Sequence, residues 1–123
     1  AAAVVAFSEG VARFPQGTML DDARLGWAKA LEALNKLPEA IAKYRELATG
    51  TSPRAAEALF RVGTHEFDTG EFAAAAKTYQ SLIERFPGDV LVSDAHLNAG
   101  FALYRQADYE GATAAFTAAA AED

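Results

Sequence analysis

The feature that most constrains the fold of this chain is an internal repeat. An alanine followed four residues later by an aromatic residue occurs at positions 3/7, 40/44, 75/79 and 112/116. Successive pairs lie 37, 35 and 37 residues apart. A fixed period in this range is typical of a chain built from stacked supersecondary units, each of which needs its neighbours to complete a core.

Each period is interpreted as two helices joined by a tight turn. Ala28, Gly63 and Gly100 stand twelve residues before the alanine of three of the pairs, which predicts a close helix crossing at that position. Short polar breaks at 34–37, 69–72 and 106–109 each end in an apolar residue. Apolar residues recur at spacings of three and four, as on amphipathic helices, and the alternation typical of strands is missing.

Proline and glycine indicate where the helices begin and end. Pro38 is expected in a first helical turn, and Ser52 is expected to cap a helix that starts at Pro53. Pro87 is expected to stop the helix before it. The glycines that follow predicted helix ends, where a positive φ is commonly needed, are Gly50, Gly70 and Gly88.

These features predict an all-α fold, a right-handed α-solenoid of antiparallel helix pairs with about seven helices. We expect one domain over residues 1–123, made of a half repeat at 1–17 and full repeats at 18–52, 53–89 and 90–123.

Composition argues against several classes of function. The chain has 17 acidic and 11 basic residues and a net charge of −6, so a nucleic acid backbone would be repelled and nucleic acid is not expected as a partner. No uncharged apolar run reaches the length of a membrane span, so membrane insertion is not expected.

The sequence also lacks recognisable catalytic or metal-binding motifs. His65 and His96 lie 31 residues apart, which does not match the spacing of zinc-binding helices. The chain has no cysteine, and its serines and glycines form neither a nucleophile elbow nor a phosphate loop. We therefore expect no catalytic residue, no metal, no cofactor and no enzymatic activity.

The residues at equivalent positions of these repeats resemble the pattern of the tetratricopeptide repeat. Residues 53–89 carry the resemblance best, through Leu59, Val62, Gly63, Gly70, Ala75, Tyr79, Leu82 and Pro87. The match is looser elsewhere, since Ala28 replaces the first-helix glycine and no proline closes the last repeat. Periods longer than the usual ~34 residues and the segment 82–89 are similar to a bacterial cell-envelope subgroup. That subgroup includes the periplasmic partner of the Tol-Pal system and outer-membrane assembly lipoproteins, so the resemblance implies a periplasmic or envelope location.

The resemblance also implies a binding face, because first helices build the concave side in this family. Its face-lining positions fall on Leu25, Lys29, Glu32, Phe60, Thr64, Phe67, Leu97, Phe101, Tyr104 and Arg105. We interpret them as an apolar groove for a helix or extended peptide of a partner, which makes the chain a protein–protein interaction scaffold. In the alternative, Phe60, Phe67 and Phe101 pack between adjacent helices as core. The family's lysine and asparagine clamp for a chaperone tail is matched only by Lys29, so that ligand is not expected.

A second function remains open from the sequence, that of a structural spacer or self-assembly unit. The half repeat at the start and the alanine-rich last helix lack the polar caps that soluble repeat stacks carry. Pairing of exposed terminal helices between copies would produce a homo-oligomer.

Overall fold

A computed structural model describes residues 18–121 of the chain. They form six α-helices, which are α1 Thr18–Ala33, α2 Leu37–Ala48, α3 Ala55–Asp68, α4 Phe72–Arg85, α5 Val92–Arg105 and α6 Tyr109–Ala121. No strand occurs within this range, so the predicted all-α class is confirmed for it. The six helices fall short of the seven or so expected, and the remaining one was predicted within 1–17, outside the described residues.

The chain divides into two compact units, Ala1–Ala58 and Leu59–Asp123, with the division inside α3. In the first unit α1 packs against α2, and in the second unit α5 packs against both α4 and α6. The predicted repeat boundaries and the right-handed stacking of the repeats stay predictions.

The turns that join α1 to α2, α3 to α4 and α5 to α6 share one geometry. Each has a residue of positive φ just after the helix end, namely Asn35 (59°), Gly70 (84°) and Ala107 (62°). In each turn the next N–H donates to a carbonyl five residues earlier, as Lys36 to Leu31, Glu71 to Glu66 and Asp108 to Leu103, with N···O distances of 2.9, 2.8 and 2.9 Å. This left-handed cap satisfies carbonyl groups that the ending helix leaves unpaired.

Gly50 and Gly88 do not adopt a positive φ, so the expectation for these two glycines was wrong. They lie in the longer connections after α2 and α4, where the chain has more residues over which to change direction.

The prolines act largely as expected. Pro38 lies in the first turn of α2, and α4 ends at Arg85, two residues before Pro87. The helix expected to start at Pro53 begins at Ala55 instead. Ser52 Oγ accepts a hydrogen bond from the Arg54 N–H at 3.0 Å, so this serine caps the turn that precedes α3.

In the second unit, the small residues Gly63 and Gly100 each face an aromatic ring. A Cβ atom added to Gly63 would lie 2.9 Å from Tyr79 Cε1, and one added to Gly100 would lie 2.7 Å from Phe116 Cε1. Tyr79 is almost fully buried, with 1% of its surface exposed. The predicted close crossing is therefore a contact between a glycine of one helix and the aromatic ring sixteen residues later.

Candidate functional site

Helix α5 presents three large apolar side chains to solvent. Leu97, Phe101 and Tyr104 are 40%, 47% and 56% exposed, and their spacing of four and three residues places them on one side of the helix. We call these three residues the α5 face. The Phe101 ring packs edge-on against Phe116 with centroids 5.0 Å apart, and the Tyr104 ring packs likewise against Tyr109 at 5.5 Å. Neighbouring rings thus hold two of the three side chains in place while leaving them accessible.

The predicted positions on α3 are less exposed. Phe60, Thr64 and Phe67 are each half-buried. The Phe60 ring packs edge-on against Tyr79 with centroids 5.6 Å apart, and the Phe67 ring against Phe72 at 5.1 Å. The exposure of these rings differs between the two interpretations given above, an open groove and packing in the core. Phe60 and Phe67 are partly packed, whereas Phe101 is open to solvent.

A hollow of about 170 Å³ lies between α3 and α5 in the second unit. We call it the α3–α5 hollow, and it is lined by Thr64, Phe67, Asp68, Tyr79, Asn98 and Phe101. Three of these were predicted groove residues, so the structure brings Thr64, Phe67 and Phe101 together around one depression.

A chain of hydrogen bonds with a defined direction crosses the wall of the hollow. The Thr64 hydroxyl donates to the Phe60 carbonyl at 2.9 Å. Because its one proton is used there, the 3.0 Å contact with Tyr79 has the phenol donating to Thr64 Oγ1. Asn98 Nδ2 in turn donates to Tyr79 Oη at 3.4 Å. Burial raises the pKa of Tyr79, and the negative charge of Asp68 acts in the same direction, so the phenol stays protonated.

Arg105 stands at the C-terminal end of α5, beside the α5 face. Its guanidinium carbon lies 5.5 Å from the centroid of the Phe72 ring, within the range of a cation–π contact. The side chain is exposed, so it remains accessible to a partner while it rests on that ring.

The predicted positions in the first unit differ from the expectation. Leu25 is buried, with 6% of its surface exposed, so its assignment to an open groove was wrong. It lies three residues before the fully buried Ala28, on the stripe of α1 that faces the core. Lys29 is exposed, and its Nζ forms a 2.7 Å ion pair with Glu57. Glu32 accepts a 2.7 Å hydrogen bond from the Tyr44 hydroxyl.

Sequence reasoning missed Asp68, Tyr79 and Asn98 as lining residues. Tyr79 was assigned only to a repeat position, although it also lines the hollow. Asp68 lies four residues after Thr64, and Asn98 three residues before Phe101. Helical spacing from the predicted groove residues could therefore have found both.

Within residues 18–121, no group of three or more histidine or acidic side chains could hold a metal ion. No helix in the same range is both long and apolar enough to cross a membrane.

Comparison with known families matches residues 25–90 to the tetratricopeptide repeat. Comparison with curated proteins finds no match. The matched range covers more than half of the 123 residues, and it contains two of the four alanine–aromatic pairs, 40/44 and 75/79. Tetratricopeptide repeats are generally protein–protein interaction modules and typically non-enzymatic scaffolds. The chain belongs to the tetratricopeptide repeat family.

Proposed function

We propose that this chain binds a helix or an extended peptide of a partner protein on the α5 face and the adjacent α3–α5 hollow. The observation that carries the proposal is the exposure of Leu97, Phe101 and Tyr104 on one side of α5. Clustered apolar side chains exposed on a protein surface mark interaction sites. Aromatic residues are also the commonest anchors of protein interfaces.

The dimensions of the face suit a short segment of a partner. Tyr104 follows Leu97 by seven positions, which is about 10 Å along a helix axis at ~1.5 Å per residue. Two turns of an amphipathic helix, or a few residues of extended peptide, would cover this length. The proposed contact residues of the second unit are the α5 face together with Thr64, Phe67, Arg105 and the half-buried Phe60.

A peptide-display experiment tests this proposal. Random peptides are selected on the unaltered chain, and their dissociation constants are then measured with Phe101→Glu and with Val90→Glu. Val90 is 91% exposed and lies between α4 and α5, so this control adds the same charge at an exposed apolar residue outside the proposed site. We expect Phe101→Glu to abolish binding and Val90→Glu to preserve it.

The choice of Phe101 keeps binding and folding separable. Because Phe60 packs against the buried Tyr79 ring, its replacement would disturb the core as well as the surface. Circular dichroism should show equal helical content for both variants at positions 90 and 101. Undiminished peptide binding by a folded Phe101→Glu variant would contradict the proposal.

Self-assembly is the second candidate, and the surface of α6 supports it. Ala114, Ala120 and Ala121 are exposed on this helix, and small apolar side chains permit close helix–helix approach. Sedimentation at increasing concentration tests this candidate, with Ala114→Glu as the variant expected to reduce association. A monomer at every concentration would contradict it.

The cell-envelope subgroup is also retained as a proposal. It is supported by the segment 82–89 and by the periods of 35 to 37 residues, and it implies a periplasmic location. Fractionation of the native cells tests it, because recovery in the cytoplasmic fraction alone would contradict it.

A further inference from the structure

We propose that the α3–α5 hollow is a specificity pocket for one basic side chain, lysine or arginine, of the bound partner. This inference rests on the proposed peptide binding and adds the chemistry of the residue that the hollow selects. It is carried by the hydrogen-bond acceptors, the aromatic rings and the charge that meet there.

The polar groups of the hollow offer acceptors to an incoming ligand. The phenol proton of Tyr79 is used on Thr64, and the Thr64 proton is used on the Phe60 carbonyl. Asn98 has to direct its amide nitrogen towards Tyr79, which turns its Oδ1 atom away as an acceptor. Asp68 adds a carboxylate, which accepts only. A ligand group rich in donors, such as an ammonium or guanidinium, matches this set.

The apolar part of the lining favours the same ligand. Phe67 and Phe101 contribute aromatic rings to the hollow, and a cation is attracted to the face of such a ring. The aliphatic stem of lysine or arginine can lie on apolar surface while its charged end reaches polar groups. Rings beside a carboxylate therefore accommodate both parts of a basic side chain.

The charges around the hollow also favour a basic side chain. Asp68 is exposed, and no ion pair joins it to a cation within residues 18–121. Arg105, a basic residue of the adjoining face, rests on the Phe72 ring. The net charge of −6 also favours an approaching cation over an anion. An acidic residue of the partner would meet the carboxylate of Asp68 and be repelled.

The size of the hollow limits the occupant. At about 170 Å³ it is smaller than the ~300 to 1,000 Å³ of clefts that take drug-sized ligands. It has room for the end of one side chain, and the rest of the partner would lie along the α5 face.

The test reverses the charge at position 68 and measures which charged residues are enriched in the selected peptides. Peptides are selected from a random library on the unaltered chain and, separately, on Asp68→Lys. We expect enrichment of lysine and arginine on the unaltered chain and of aspartate and glutamate on Asp68→Lys. Circular dichroism checks whether Asp68→Lys keeps its helices, which we expect because the residue is exposed at the end of α3.

A second experiment varies the peptide and the protein together, in order to isolate the contact between the basic side chain and Asp68. One selected arginine peptide and its citrulline analogue, which is neutral and of nearly the same shape, are titrated against the unaltered chain, Asp68→Asn and Glu110→Gln. Glu110 is exposed on α6 and does not line the hollow, so its replacement matches the change in net charge. We expect Asp68→Asn to weaken binding of the arginine peptide by up to about fivefold. Citrulline should weaken binding at least as much, because it also loses the cation–π contact, and Asp68→Asn should cause little further loss for the citrulline peptide. We expect Glu110→Gln to have little effect on either peptide.

The outcomes separate this inference from the proposed function. If selected peptides lack basic enrichment, or bind the unaltered chain and Asp68→Asn equally well while still requiring Phe101, the basic pocket is wrong and the groove stands. If no peptide binds, or binding is insensitive to Phe101→Glu, the proposed function fails and the pocket fails with it.

Discussion

Replacing Gly63 by alanine tests whether the contact between the glycine column and the aromatic ring shapes the second unit. The new Cβ would lie 2.9, 3.0 and 3.1 Å from three carbons of the Tyr79 ring. That ring is 1% exposed, packs against Phe60, and is held through its hydroxyl by Thr64 and Asn98. The ring therefore has little freedom to move aside.

The magnitude follows from two opposing effects. Overpacking in a well-filled interior costs about 1 to 3 kcal/mol, whereas alanine is favoured over glycine within a helix by about 1 kcal/mol. We therefore expect Gly63→Ala to lower the free energy of unfolding by about 1 kcal/mol. For a chain of this length that corresponds to a melting temperature lower by roughly 3 to 5 °C.

Gly100→Ala is the matched comparison. Its Cβ would approach Phe116 Cε1 to 2.7 Å, but Phe116 is only half-buried, so we expect its ring to yield more easily than the buried Tyr79 ring. The remaining cost of displacing the ring should then nearly equal the gain in helix propensity, and we expect a change in unfolding free energy within about 0.5 kcal/mol of zero.

The assay is urea unfolding of all three proteins, followed by far-ultraviolet circular dichroism. Trp27, the only tryptophan, lies in the first unit, so its fluorescence reports on that unit. A Gly63→Ala variant as stable as the unaltered chain, or more stable than Gly100→Ala, would refute the reasoning.

Three further predictions concern a turn, a buried carboxylate and a buried phenol. Ala107 adopts a φ of 62°, which glycine tolerates better, so Ala107→Gly should raise the unfolding free energy by up to about 1 kcal/mol; a lower melting temperature would contradict this. Thr78→Val removes the 2.6 Å hydrogen bond to the buried carboxylate of Glu66 and should cost about 2 kcal/mol in urea unfolding, whereas a change below about 0.5 kcal/mol would count against it. The raised pKa of Tyr79 means that the folded phenol holds its proton more tightly than the unfolded one. Stability should therefore be unaffected by this group below about pH 10 and should fall as pH rises above that value. Melting curves across that range should show a shallower fall for Tyr79→Phe, and identical slopes would exclude the effect.

Much of the local structure could be predicted from the sequence because its causes are local. Spacings of three and four define amphipathic helices whatever surrounds them, and Pro38 and Pro87 restrict their own backbone. The need for a small residue at Gly63 and Gly100 could be inferred from the repeat, since both stand sixteen residues before an aromatic side chain. The identity of the contacted ring required the structure.

Exposure was decided by tertiary structure. Leu25, Phe60 and Leu97 occupy the same repeat position, yet Leu25 is buried, Phe60 is half-buried and Leu97 is 40% exposed. Residues at the same position of each repeat are predicted to lie on the same side of their helices. Whether a residue on that side is buried depends on which distant segments of the chain cover it. The sequence therefore indicated a groove over three repeats, whereas the structure leaves the open apolar surface of that column on α5.

The lining of the α3–α5 hollow also depends partly on local sequence and partly on tertiary structure. The sequence by itself determined that Thr64 and Phe101 lie on first helices, because helical spacing is a property of neighbours along the chain. Only the tertiary structure joined them to Tyr79 and Asp68 around one depression. Contacts between residues far apart in sequence depend on how whole helices pack, and no local pattern records them.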